Sequence, residues 1–231
     1  MSSPVEKSTG PLWVTIQGVF STMSRLITLV DGFNLYHSVR DIQHNFGVCL
    51  KWLDIYSLCK SYIHLVIKDA QLVEIHYFTA LATHLSDPAA VDRHKDYITC
   101  LEETGILVEY GRFKPKDIYC TNCKTWFVRH EEKETDVRIA TKICHLLEND
   151  MCDAILLLTG DTDLAPSVEH AKQCFPEKTI RFAFPYGRAS DELRQIAPGS
   201  FKMNWKNYAK YQLPDPFPLS SGNSISKPST W

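Results

Sequence analysis

The chain has 231 residues, 44% hydrophobic and 23% charged, with a formal net charge of -2 and an isoelectric point near 6.5. That is enough for one substantial core and excludes a globally basic nucleic-acid binder, so contact with a polyanion has to come from a local patch or from bound cations. No run of about 18 or more apolar residues appears, and the start lacks the basic and apolar regions of a secretory signal, so the expectation is a cytoplasmic protein with no membrane span.

Along the chain, residues 1–24 lack clear periodicity and read as a loose N-terminal arm, with Met23 an alternative start. The run Leu26–Val30 reads as a strand ending in Asp31-Gly32. Apolar positions at Trp52, Ile55, Tyr56, Cys59, Ile63 and Val66 predict a helix over 52–67. A strand over Val73–Ala80, a helix near Pro88–Glu103 and a strand over Ile106–Tyr110 follow. Next come a helix over Lys133–Glu148, the most apolar strand at Ala154–Thr159, and a helix from about Leu164 to Cys174. A strand at Thr179–Phe184, a short helix at Asp191–Ile196 and a strand near Phe201 complete the set. Continuous apolar strands separated by helices predict an α/β domain over 25–211, with a parallel sheet covered on both faces. Residues 212–231 are rich in Pro, Ser, Gly and Asn, a composition that predicts a disordered tail.

Six of the eight cysteines (Cys49, Cys59, Cys100, Cys144, Cys152 and Cys174) stand singly in apolar or helical sequence and read as reduced thiols. The acids are more informative. LITLVDGFN at 26–34 and ILLLTGDTD at 155–163 both end a strand in an acidic turn, where functional groups of open parallel sheets collect. Asp31, Asp161 and Asp163 are therefore candidates for one crevice. Turn and N-cap chemistry also suits such acids, with Asp163 the expected cap. The helix over 133–148 has an apolar stripe of Ile139, Ala140, Ile143, Leu146 and Leu147. Asp136 lies three and four residues before its first members, which places a carboxylate on the core-facing side. Glu132 falls one turn earlier, although Glu131, Glu132 and Glu134 also suit the dipole of a helix start.

Two bare carboxylates about 4 Å apart repel by roughly 4 kcal/mol at an effective dielectric of 20, so a convergent cluster calls for protons or cations. All-oxygen ligands suit Mg²⁺ or Mn²⁺ rather than Zn²⁺, and such an ion supports phosphodiester hydrolysis.

Three segments carry a resemblance: LVDGFNLYHS at 29–38, HEEKETDVRIATKICHLL at 130–147 and LLLTGDTDLAPSVEHAK at 156–172. Together they resemble the signature blocks of NYN-domain proteins in the PIN-like nuclease superfamily. The resemblance implies a three-layer α/β/α fold with a central parallel sheet in 3-2-1-4-5 order, and Mg²⁺- or Mn²⁺-dependent cleavage of RNA. It implies Asp31, Asp136, Asp161 and Asp163 as metal and catalytic residues. Asn34 is implied as a polar neighbour orienting water or phosphate, with Glu132, Lys133 and Thr159 beside them.

Between the third strand and the Asp136 helix, Cys120 and Cys123 form a CxxC pair. With His130 they would give three of the four ligands of a structural Zn²⁺, the fourth coming from elsewhere. A reduced pair in a loop and a redox motif remain open beside it. The same segment interleaves Arg112, Lys114, Lys116, Lys124 and Arg129 with Phe113, Tyr119, Trp126 and Phe127, a mixture suited to single-stranded RNA and equally to a solvated loop. Lys172, Lys178, Arg181, Arg188 and Arg194 are candidates for a second basic wall. His37 is a candidate to reach the site from the Asn34 turn.

The leading expectation is a divalent-metal-dependent endoribonuclease. A non-catalytic RNA-binding or regulatory module is the alternative, and a phosphatase or receiver-like domain fits less well because the DxD pair follows a late strand. No phosphate-binding or dinucleotide glycine motif is present. Oligomeric state is open, a homo-oligomer included.

Overall fold

The computed structural model describes residues 23–85 and 87–231; the expected loose arm therefore lies almost wholly outside the described residues. The first strand, β1 (Arg25–Asp31), is apolar from Leu26 to Val30 apart from Thr28 and is buried there, as a central strand covered on both faces requires. Helix α1 (Gly32–Phe46) follows at once, capped by Asp31, with Leu35, Val39 and Ile42 on its buried face. The sequence reading has no helix here, because only those three apolar residues at helical spacing mark it. Helix α2 (Ile55–Tyr62) is capped by Asp54 and followed by a 3-10 turn to Leu65. It is shorter than the expected 52–67, since Leu53 instead bridges to Gln212.

Strand β2 (Gln71–Thr79), helix α3 (Pro88–Glu103) and strand β3 (Leu107–Tyr110) match expectation within two residues. A hairpin follows where the sequence reads as a loop. Strands β4 (Arg112–Cys120) and β5 (Thr125–Lys133) pair antiparallel from Arg112↔Lys133 to Cys120↔Thr125. Both are largely exposed and lack apolar alternation, so periodicity could not mark them. Glu134 then adopts a left-handed conformation (φ 82) that swings the chain into α4 (Thr135–Glu148). The helix thus begins after Lys133, and Glu132 sits on β5.

The remaining elements are β6 (Ala154–Leu158), a 3-10 turn at Thr162–Leu164, α5 (Ala165–Cys174), β7 (Thr179–Phe184), α6 (Asp191–Ile196), β8 (Phe201–Lys202) and α7 (Trp205–Lys210). The main sheet runs β3-β2-β1-β6-β7-β8, parallel throughout. Counting only sheet strands in chain order, this is the expected 3-2-1-4-5 extended by a two-residue sixth strand.

Alternation along each strand splits the core into two layers. Leu26, Val30, Leu156 and Leu158 pack with α1, α2, α3 and α7. Ile27, Leu29, Ile155 and Leu157 pack with Ile139 and Ile143 of α4, Val168 of α5 and Leu193 of α6. The three-layer α/β/α architecture follows.

The expected disorder of residues 212–231 is not what the structure has. The tail packs across the first layer and includes the short pair β9 (Phe217–Pro218) and β10 (Ser224–Ile225). Leu213 and Phe217 are buried, and the Trp52 indole N–H donates to the Pro214 carbonyl at 3.1 Å. Trp231 packs edge-on against Trp52 and Tyr97. A few large apolar anchors offset an ordering entropy that average composition says cannot be met.

Candidate active site

Connections leave β1 toward β2 on one side, while β6 continues toward β7 on the other, so the crevice outside their carboxyl ends is the topological switch point. Asp31 ends β1, and Thr159-Gly160-Asp161 follows β6 directly. The first turn of α4 brings Asp136 over the same edge. One carboxylate oxygen from each of Asp31, Asp136 and Asp161 lies within 4.8 Å of the others, although the residues are far apart in sequence.

A hydrogen-bond lattice fixes two of the three acids. The Asn34 N–H donates to Asp31 Oδ1 at 2.9 Å, and the Thr159 hydroxyl donates to Asp31 Oδ2 at 2.8 Å. Thr159 Oγ1 in turn accepts the Asp161 N–H at 3.0 Å, and Asn34 Oδ1 accepts the Gly160 N–H at 3.0 Å. Asn34 and Thr159 are therefore positioning residues that tie the end of β1 to the turn after β6. Gly160 is required by a close approach: a Cβ built there would come within 1.8 Å of the Arg188 carbonyl oxygen.

Burial and mutual repulsion act together on the acids. Asp31 is 3% exposed, and desolvation pushes its carboxyl up to about 6 against the hydrogen bonds from Asn34 and Thr159, with Asp136 and Asp161 adding repulsion. Asp136 is also pushed up to about 6, by desolvation first and then by Asp161, Glu132 and Asp163. At 4.8 Å two carboxylates repel by about 3.5 kcal/mol at an effective dielectric of 20, which exceeds the ~0.5 kcal/mol a helix start offers Asp136. The cluster disfavours its own full ionisation and fits a hard divalent cation, which its oxygen-only donors suit.

A cavity of about 170 Å³ opens over the acids, lined also by Phe33, Asn34, His37, Glu132 and Arg188. His37 thus reaches the site. Burial, followed by the charges of Arg188 and Arg40, holds its imidazole below the usual histidine value, so it is neutral at pH 7. Glu132 reaches the cavity from β5 and accepts the Thr135 hydroxyl. Asp163 is exposed and outside the close trio; its N–H donates to Asp161 Oδ1 at 3.0 Å, so Asp161 rather than Asp163 is the cap.

The proposed second basic wall reduces to Arg188. Its guanidinium bonds Asp41 at 2.6 Å, and its buried Nε has no partner among the described residues. Lys178 pairs with Asp150 and Asp153 near the start of β1, Lys172 and Arg181 donate to the carbonyls of Ile196 and Leu65, and Arg194 pairs with Asp191. Arg188 lies in the loop after β7, which no local pattern connects to the site.

The hairpin sorts its residues by face. In its register Phe113, Tyr119, Trp126, His130 and Glu132 share one side, and Glu132 and Phe113 place that side toward the acids and Phe33. Arg112, Lys114, Lys116 and Arg129 share the other, where Lys116 pairs with Glu131 and Arg112 with Glu134. The basic strip therefore faces away from the acid crevice. Lys124 (φ 55) lies in the hairpin turn.

The same register removes His130 as a partner of the cysteine pair. His130 lies opposite Pro115, five rungs from Cys120, a separation of roughly 17 Å along a strand. It stacks instead on His84, with ring centroids 4.0 Å apart. Cys123 accepts or donates to Thr125 at 2.8 Å, and that contact, followed by one with Cys120, lowers its thiol.

This fold, with carboxylates gathered at the switch point, defines a nuclease-like α/β domain of the PIN-like class. The NYN domain model matches residues 25–204, and the chain belongs to that family. No curated protein matches it. The solved structure of a protein of unknown function from Vibrio parahaemolyticus is similar, with a TM-score of 0.52 and 17% identity over 83% of this chain and 97% of that one. That likeness concerns the fold. Among the described residues no helix is long and apolar enough to cross a membrane.

Proposed function

We propose that this site is the catalytic centre of a divalent-metal-dependent endoribonuclease that hydrolyses RNA phosphodiester bonds. The observation that carries the reading is the meeting of Asp31, Asp136 and Asp161 within 4.8 Å at the strand ends. These three would hold Mg²⁺ or Mn²⁺, with Glu132 of the cavity wall, and Asp163 whose charge acts on Asp136, as further acids for water around it. When bound, the cation would make water a better nucleophile and offset negative charge on the phosphoryl group.

The remaining chemistry belongs to the chain. Asn34 and Thr159 keep Asp31 and Asp161 in register, so little reorganisation accompanies reaction. Arg188 is the cation on the cavity wall, and its guanidinium is suited to a non-bridging phosphate oxygen. Neutral His37 can accept a proton from a nucleophile, and the imidazolium so formed can pass that proton to a leaving oxygen. Single-stranded RNA is the substrate favoured, because Tyr119, Trp126 and Phe113 line the hairpin side that leads into the crevice, and rings stack on unpaired bases.

The test is incubation of a labelled single-stranded RNA with wild-type protein and Mn²⁺, beside Asp136→Asn and an EDTA control. Cleavage by the wild type alone is expected. RNA binding without turnover in Mn²⁺ would replace the nuclease with a non-catalytic RNA-binding module.

A further inference from the structure

Beside the acidic crevice opens a second, larger cavity of about 410 Å³, and Phe33 and His37 line both. Its volume falls in the range of pockets that enclose small organic groups. The floor is the end of β2. A Cβ at Gly32 would stand 2.9 Å from the Tyr77 hydroxyl, so the Tyr77 ring lies against the residue that follows Asp31. The two cavities are therefore neighbours across a single turn of backbone, with Phe33 between them.

Rings and aliphatic side chains share the walls. Phe113, from the hairpin, meets Phe33 edge-on with centroids 5.7 Å apart and His84 at 4.6 Å, and Trp231 closes part of the far side. Polar groups are few and local. The buried Thr79 hydroxyl lies 3.5 Å from His94 Nε2, and Lys51 and Arg93 also line the cavity. Burial lowers the His94 imidazole, which keeps it neutral with one donor and one acceptor. Aromatic walls, a small donor-acceptor set on the floor and cations nearby match a planar heterocycle joined to a phosphate.

We infer that this cavity receives one nucleobase of the single-stranded RNA whose backbone crosses the acidic crevice, so that a base seated against Phe33 and Phe113 fixes which phosphate meets Asp31, Asp136 and Asp161. The inference rests on the nuclease reading for the position of the phosphate. It adds a specificity site, with Thr79 and His94 as the groups that read the base edge.

The experiment measures binding of fluorescein-labelled octaribonucleotides in EDTA, with one position at a time made abasic, to wild-type protein and to Ala90→Trp, which fills the cavity from α3. Loss of one base at a particular position is expected to weaken wild-type binding on the order of tenfold, the scale of a stacked base. Ala90→Trp should weaken the intact RNA equally and leave the matching abasic RNA little changed, because both remove the same contact. Thr79→Val, which keeps the side-chain shape, should cost about fivefold and serves if Ala90→Trp does not fold. Equal affinity for every abasic RNA, or fully additive losses, would overturn the inference. So would an aromatic heterocycle such as free uridine or adenine binding in the cavity while RNA does not. Cleavage of the same oligonucleotides with Mn²⁺ separates the two readings. Cleavage without base dependence removes the base site alone, whereas base-dependent binding without cleavage removes the nuclease alone.

Discussion

Replacing Asp136 by Asn removes one of two carboxyls pushed up to about 6, and in metal-free protein this should stabilise the fold at neutral pH. A folded-state value above the unfolded one, about 3.8, means that the native state binds more protons between pH 4 and 6. Stability therefore falls as pH rises through that window, and the penalty is complete above it. For buried Asp31 the shift corresponds to about 3 kcal/mol at pH 7.5; for half-exposed Asp136, discounted for solvent screening, it is about 1–2 kcal/mol. The two titrate together, so these figures do not add. Subtracting ~0.5 kcal/mol for the lost helix-start charge leaves a net gain near 1 kcal/mol, or about 2–4 °C in Tm for a domain of this size. Differential scanning fluorimetry in EDTA should show Asp136→Asn melting above wild type at pH 7.5 and level with it near pH 4. Adding Mn²⁺ should reverse the order at pH 7.5, since only the intact trio gains a ligand. Equal destabilisation at both pH values, or the same Mn²⁺ response in both proteins, would refute this reasoning.

Other outcomes follow from the same geometry. Thr159→Val strips a hydrogen bond from Asp31 and leaves the Asp161 N–H without its acceptor; it should lower Tm by the equivalent of about 1–3 kcal/mol and reduce RNA cleavage, with the variant's fold checked by circular dichroism. Arg188→Ala should weaken single-stranded RNA binding by roughly tenfold in filter-binding assays and lower its salt dependence. Phe217→Ala should destabilise the domain by about 3 kcal/mol in urea unfolding, whereas a disordered tail would leave the midpoint unchanged. Cys123, exposed and with its thiol lowered, should be alkylated by iodoacetamide before buried Cys59, Cys100 and Cys152, as peptide mass mapping can read.

Parts of the site were legible because their signals are local. Asp31 and Asp161 end apolar strands, and Asp136 stands in register with an apolar helical stripe, so position along the chain predicts which edge of the sheet they reach. The rest depends on tertiary contact. Arg188 comes from a loop whose carbonyl packs on Gly160, and nothing near it in sequence signals the meeting. The hairpin β4–β5 carries no apolar alternation, so neither its strands nor the division of rings and cations between its faces could be read before its register was known. The same register separates His130 from the cysteine pair that spacing along the chain had grouped with it. Helix α1 rests on three apolar residues and a cap, and the tail on a handful of large anchors, both below what composition can detect.

Joint binding of a divalent cation by Asp31, Asp136 and Asp161 is the point on which the proposed activity turns, and Mn²⁺ titration followed by electron paramagnetic resonance tests it most directly. Wild-type protein should bind Mn²⁺ at a single class of site at pH 7.5, and Asp31→Asn, Asp136→Asn and Asp161→Asn should each weaken that binding severalfold or more. Undiminished binding in all three variants, or none in the wild type, would contradict it.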